Sequence, residues 1–277
     1  MPNEKRTVFF ISDSTAITAE TLGHSLMAQF DHVQFHQFTL PFVDSAEKAM
    51  EAISIINEIA KITETKPIVF STLVNAEIRQ IIKNCNCIFF DSIDTFLTPL
   101  EKELDMPSSK MVGSYHKFKD NVYDVRMDAV NYALGHDDGM TMKNFDMADV
   151  ILVGVSRTGK TPTCVYLALQ FGIFAANYPL TEENFANKDR KHIASLTLFK
   201  EKLFGLTINP ARLQKIRSER WPNSRYASLA QCQTEISMAE ELFAAEDIPF
   251  INVTMMSVEE IAAHILQFKK LQRRLFS

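Results

Sequence analysis

Eight consecutive residues, Gly154-Val155-Ser156-Arg157-Thr158-Gly159-Lys160-Thr161, fill every fixed position of the phosphate-binding pattern G-x-x-x-x-G-K-[ST]. The segment before them, Asp149 to Val153, reads as a short buried strand. The segment after them, Pro162 to Phe171, places Val165, Leu167, Ala168 and Phe171 on one side of a helix. Strand, glycine loop and helix therefore follow one another in the order that a phosphate loop requires, which commits this part of the chain to an α/β layer. Gly154 and Gly159 let the backbone curl so that successive N–H groups converge on an anion, and the helix opening near Lys160 adds its positive dipole end. Lys160 supplies a mobile charge for terminal phosphates, and the Thr161 hydroxyl is placed to ligate Mg²⁺.

The rest of the chain repeats the same alternation. Apolar strand-like runs at Val8 to Ile11, Ile68 to Phe70 and Ile88 to Phe90 are interleaved with helical patterns at Thr18 to Phe30, Ala46 to Ile62 and Ala76 to Lys83. Asp105 to Asp120, with Pro107, two serines and Gly113, reads as an irregular connection, and a helix over Asn121 to Leu134 leads into His136-Asp137-Asp138-Gly139. Further strands are expected at Ile173 to Asn177, closed by Tyr178-Pro179, at Leu203 to Ile208 and at Phe250 to Val253. Helices are expected to open at Asn209-Pro210 and at Val258. The 277 residues suffice for two ordinary domains. The expectation is an N-terminal α/β domain over 1–140, a candidate for docking a target, and a phosphate-loop α/β domain with a mainly parallel sheet over 141–277.

Composition excludes some classes. A net charge of −5 argues against unspecific binding to nucleic acid or to a membrane surface, both of which need positive charge. No segment is long enough to span a bilayer, and the apolar run after Lys5-Arg6 is too short for a signal peptide. The four cysteines form one C-x-C and no second pair, so neither a metal framework nor a disulfide framework is indicated and a cytoplasmic protein is expected. The basic residues Lys269, Lys270, Arg273 and Arg274 read as a solvated helix end.

A phosphate loop names a ligand and not a reaction, so a carboxylate is sought for metal or proton transfer. Asp137 and Asp138 are the candidates, and a turn in which they cap a helix is the alternative. Ser12-Asp13-Ser14-Thr15 reads first as helix caps and second as another anion site. Arg217, Arg220 and Arg225, with Tyr226, form either a lid over phosphates or a wet helix face, and Lys188, Arg190 and Lys191 read as a wet loop. Asn187-Lys188-Asp189 nearly matches the N-K-x-D base-reading motif, but Arg190 stands where a carboxylate is required. The H-R-D and D-F-G elements of eukaryotic-type protein kinases are absent.

Taken together, several stretches resemble one family, the bacterial regulatory proteins of phosphoenolpyruvate synthase and pyruvate, phosphate dikinase. They are Phe10 to His24 (FISDSTAITAETLGH), Thr39 to Val43, His136 to Gly139, Ile151 to Pro179, Lys202 to Ile208 and Asn223 to Leu229, and the likeness runs from residue 8 to about 262. The resemblance implies a bifunctional enzyme whose protein substrate is another enzyme. With ADP as donor it would phosphorylate a target threonine and inactivate the target; with inorganic phosphate it would remove that phosphoryl group as pyrophosphate. The N-terminal motif resembles the synthase branch more than the dikinase branch. One phosphate site is expected to serve both reactions, with Lys160 and Thr161 central, Mg²⁺ at Thr161, and Asp137 or Asp138 as metal ligand or base. A small-metabolite kinase and a nucleotide-dependent switch without group transfer are the rival readings, and a homodimer is left open.

Overall fold

The computed structural model describes residues 4–110, 120–137, 143–181, 195–272 and 274, which form two compact units, Met1–Phe118 and Lys119–Ser277. The expectation of two α/β domains holds. The division lies ahead of residue 140, because the helix over Asp120–Gly135 packs on the helix that follows the glycine loop and so belongs to the second unit.

In the first unit β1 (Glu4–Ile11), β2 (Val33–Leu40), β3 (Ile68–Ser71) and β4 (Ile88–Asp91) form a parallel sheet in the order β2-β1-β3-β4. Successive strand residues point to opposite faces. Phe9 and Ile11 of β1 accordingly pack with Ala49, Ala52 and Ile56 of α2 (Ala46–Thr63) and with Ile78 and Ile82 of α3 (Ala76–Lys83). Val8 and Phe10 pack with Ala19 and Met27 of α1 (Ile17–Met27), where Gly23 lets the helix backbone approach the Phe10 ring. Helix α4 (Ser92–Leu104) follows β4 directly and is started by the Asp91 carboxylate, which accepts from Asp94 N. β2 was not expected from sequence, yet it pairs with β1 along its whole length.

The second unit opens with α5 (Asp120–Gly135). It then builds a parallel sheet from β5 (Val150–Val155), β6 (Ala175–Leu180), β7 (Leu203–Thr207) and β8 (Phe250–Asn252), in the order β6-β5-β7-β8. All six residues of β5 are buried, as a central strand covered on both faces requires. Helix α6 (Lys160–Phe171) packs against α5 and against α9 (Val258–Lys269), while α7 (Pro210–Arg220) packs on α8 (Leu229–Ala245), which lies against β5 and β7. β6 does not stop before Tyr178-Pro179 but runs to Leu180; as an edge strand it can dispense with the N–H that proline lacks. Two of the C-terminal cations are tied down rather than merely solvated: Lys269 Nζ donates to Glu201 O, and Arg274 meets Asp149 Oδ1 at 2.7 Å over the Phe174 ring, while Arg273 lies outside the described residues. Among the described residues no helix is long and apolar enough to cross a membrane.

Candidate active site

The order β6-β5-β7 reverses direction between β5 and β7, and the loop Gly154–Thr161 leaves the carboxyl end of β5 at that point, where α/β sheets open a crevice. The local sequence is dictated by how tightly the loop sits. A Cβ on Gly154 would lie 2.5 Å from the Leu206 carbonyl of β7 and 3.1 Å from Thr158 Oγ1. Arg157 (φ 76°) and Gly159 (φ 86°) take left-handed conformations to turn the chain, and the buried Thr158 hydroxyl ties the turn to Val155 O at 3.0 Å. Gly159 precedes α6 without a capping side chain, so no cap neutralises the positive end of that helix. Lys160 is buried, with Nζ 2.8 Å from Val155 O, inside the curl of the loop.

Beside it stands a three-residue oxygen cluster. Thr161 Oγ1 donates to Asp137 Oδ1 at 2.7 Å, and Asn177 Nδ2 donates to the same Asp137 oxygen at 2.6 Å and to Thr161 Oγ1 at 3.0 Å. A hydroxyl has one hydrogen and two lone pairs. The Thr161 hydrogen is given to Asp137 and one lone pair to Asn177, which leaves the second lone pair for a cation. Both bonds to Asp137 end on Oδ1, so neither engages Oδ2. Asp137 is held from behind: His136 stacks on Tyr132 at 4.0 Å between ring centres, its ring nitrogens reach Tyr132 O and Lys143 O, and its carbonyl accepts from Asn177 N. Among the described residues the Asp137 carboxylate thus bonds Thr161 and Asn177 and caps no helix.

These groups line one cavity of about 650 Å³, together with Ser156, Arg157, Gly159, Lys160, Arg220, Trp221 and Tyr226. Below its rim Arg217 is completely buried. Its guanidinium meets Glu235 Oε2 at 2.6 Å, donates to Ser156 O at 3.2 Å and to Tyr226 O at 3.1 Å, and lies 4.1 Å from the centre of the Tyr226 ring. The Tyr226 hydroxyl in turn is 3.0 Å from Ser156 Oγ. Arg217 is thus neither a lid residue nor part of a wet face; it is a strut joining α7, α8 and the Arg225–Ala227 turn to the glycine loop. Burial alone would lower its basicity, but the hydrogen bond and charge of Glu235 outweigh that and hold it higher than usual. Burial pushes the Cys164 thiol, on α6, well above its ordinary range; Asp137 adds to the shift and Lys160 opposes it.

Of the residues expected from sequence, Asp137, Ser156, Arg157, Gly159, Lys160 and Thr161 come together on the cavity. Gly154, Val155 and Thr158 shape the loop. Asp138, Gly139 and the segment with Lys188, Arg190 and Lys191 lie outside the described residues. Asp13 does not cap α1, whose preceding residue Ala16 makes no side-chain cap; its carboxylate accepts from Val74 N at 2.7 Å and so fastens the β3–α3 loop. Asn177, Trp221 and Glu235 were not anticipated. Only the tight pattern of a polar residue within the apolar run Ala175-Ala176-Asn177-Tyr178 signalled the first of them.

A glycine loop at a sheet's switch point, faced by a lysine, a hydroxyl and a carboxylate, is the equipment of a phosphoryl-transfer protein. The kinase/pyrophosphorylase family model matches residues 8–266, and the chain belongs to that family and is a phosphotransferase. It is 54% identical to a protein of Alkalilimnicola ehrlichii over the whole of both chains, provisionally named a phosphoenolpyruvate synthase regulatory protein. Proteins given the same provisional name in Stutzerimonas stutzeri (54% identity, 98% of this chain and 99% of the relative) and Hahella chejuensis (50%, 98% and 99%) are similar to it as well.

Proposed function

We propose that the protein regulates phosphoenolpyruvate synthase by moving a phosphoryl group onto and off a threonine of that enzyme, with ADP as donor and inorganic phosphate as acceptor. The observation that carries this reading is the Thr161–Asp137–Asn177 cluster next to Lys160 in a single cavity. The names of the relatives supply the target, and the family supplies the pairing of kinase with pyrophosphorylase chemistry.

In the forward reaction the loop holds the two phosphates of ADP, with Lys160 exchanging its bond to Val155 O for the β-phosphate. The target hydroxyl oxygen attacks the β-phosphorus, the bond to the AMP oxygen breaks, and Asp137 takes the hydroxyl proton. In the opposing reaction an oxygen of inorganic phosphate attacks the phosphothreonine, the threonine oxygen leaves and recovers a proton from Asp137, and pyrophosphate is formed. Both directions pass through one planar phosphoryl group with the same charge, so one set of donors serves both. Mg²⁺ fits the residues present, since the Thr161 lone pair and the Asp137 carboxylate are hard oxygen ligands; when bound it neutralises phosphate charge.

The test is incubation with Mg²⁺, phosphoenolpyruvate synthase and ADP labelled in the β-phosphate. Labelled phosphothreonine is expected with the wild type, with loss of label in Lys160→Ala and at least about a 100-fold slower transfer in Asp137→Asn. Added phosphate should release labelled pyrophosphate. Label on pyruvate, phosphate dikinase alone would change the target, and label on neither enzyme would sink the reading.

A further inference from the structure

One buried polar atom of this cavity has no partner. Asn177 is 1% exposed, its Nδ2 bonds both Asp137 and Thr161, and its Oδ1 meets no hydrogen-bond donor. The orientation of the amide is fixed by chemistry: the Asp137 carboxylate oxygen and the Thr161 oxygen, whose hydrogen is already given to Asp137, both act as acceptors toward it, so the NH₂ must face them. Oδ1 is then a buried acceptor on a residue that lines the cavity, and native proteins rarely leave such an atom unmet. Asn177 sits on β6 in register with Leu152 of β5, and its N–H is bonded to His136 O, so the side chain springs from a fixed backbone.

What would supply the missing donor is constrained by the neighbours. The Thr161 lone pair and the Asp137 carboxylate are both hard oxygens, and a small divalent cation that takes such ligands keeps much of its water. Those waters are strong donors. We propose that Asn177 is a third member of the divalent-cation site, its Oδ1 accepting from a water of the hydration shell while its Nδ2 holds the Thr161 and Asp137 ligands in place. The inference rests on the reading that this cavity binds a nucleoside diphosphate with its metal. It makes Asn177 a positioning residue for the cation rather than a group that touches the phosphoryl being moved.

Calorimetric titration of the full-length protein with ADP, in EDTA and again in millimolar Mg²⁺, measures how far the cation tightens nucleotide binding. Asn177→Ala removes donor and acceptor together; Asn177→Asp keeps an oxygen where Oδ1 stands and puts a second charged oxygen where Nδ2 donates to Asp137. In Asn177→Ala the tightening by Mg²⁺, taken as the ratio of the two affinities of that variant, should fall about 10-fold or more, the range found when groups behind a metal's ligands are removed. In Asn177→Asp the tightening should exceed that of wild type, because a cation at the site would hold both carboxylates and relieve their mutual repulsion in place of the lost Nδ2 bonds. If Asn177→Asp falls with Asn177→Ala, the residue acts through Nδ2 alone and the inference is overturned; an Asn177→Ala variant with wild-type tightening overturns it as well. Should Asn177→Ala not fold, the Asn177→Asp result decides alone. A wild type that binds no ADP refutes the underlying reading, which is a different failure from a wild type that binds Mg²⁺ and ADP cooperatively while its variants do likewise.

Discussion

Replacing Arg217 by methionine should loosen the second unit far more than an ordinary surface substitution. Its guanidinium is fully buried and serves five partners: Glu235 at 2.6 Å, the carbonyls of Ser156 and Tyr226, the Cys232 sulfur and the Tyr226 ring. Methionine fills much of the volume, so the loss is electrostatic and not that of a cavity. Stranding one partner of a buried ion pair costs about 3–5 kcal/mol. Here Glu235 keeps a hydrogen bond from Gln231 at 2.9 Å and its side chain is 11% exposed, which tempers the cost, while two carbonyls lose donors, which adds to it. A loss of about 4 kcal/mol is the expectation. Trp221 is the chain's single tryptophan and directly follows α7, so its fluorescence in a urea titration reports this unit and not the other. With a slope of about 2 kcal/mol per molar urea, the midpoint should move by about 2 M. The double change Arg217→Met with Glu235→Leu removes the stranded charge and should recover about 2–3 kcal/mol of the loss. A midpoint shift under about 0.5 M for Arg217→Met, or a double variant as unstable as the two single ones summed, would refute the idea that a buried charge pair braces the loop.

Gly154→Ala places a methyl 2.5 Å from the Leu206 carbonyl, which as backbone cannot swing aside, and should cost at least about 1–3 kcal/mol in the same urea assay. Gly23→Ala brings a methyl 2.3 Å from Phe10 Cε1 and should destabilise the first unit by a similar amount; hydrogen exchange should quicken in β1 and α1 while Trp221 reports no change. The Cys164 thiol is raised above its ordinary value of 9.0, chiefly by burial, so above that pH the unfolded chain loses a proton that the folded chain keeps. Its contribution to stability is complete below pH 9 and declines as pH rises further, at a slope of up to about 1.4 kcal/mol per pH unit. Cys164→Ala should flatten that slope, and an unchanged slope between pH 9 and 10.5 would count against the assignment.

The readability of this chain from its sequence follows the range over which each feature is determined. The glycine loop was legible because its demands are local: Gly154 must lack a Cβ and Gly159 must turn left-handed, so few residue types satisfy them. β5 and the Val8–Ile11 half of β1 were legible because each is an unbroken apolar run of a central strand, whereas Glu4 to Thr7 of β1 carry no such signal. β2 escaped notice because, at the sheet's edge, Gln34, His36 and Gln37 interrupt its apolar residues and most of its side chains face solvent. At Asp137 the two readings, ligand and cap, could not be separated by sequence, since a carboxylate after a helix serves either; the fold adds that this carboxylate accepts from Thr161 and Asn177, partners that lie far along the chain. Asn177 shows in the sequence only as a polar residue inside an apolar run, and Arg217 reads there as lid or wet face and not as a buried strut. Their partners lie 40 and 18 residues away, and only the pairing of β6 with β5 and the packing of α7 on α8 brings them together.

Among the described residues each four-stranded sheet is assembled from strands that follow one another in the chain, and neither sheet borrows a strand from the other half. A nascent chain can therefore finish its first sheet while the ribosome is still adding the second, so the order of synthesis is also a workable order of folding. The same feature sets where the polypeptide can be cut. A fragment begun at residue 141 would leave behind α5, His136 and Asp137, and with them one wall of the cavity; the second unit as a piece of chain starts at residue 119, some thirty-five residues upstream of the glycine loop that advertises it.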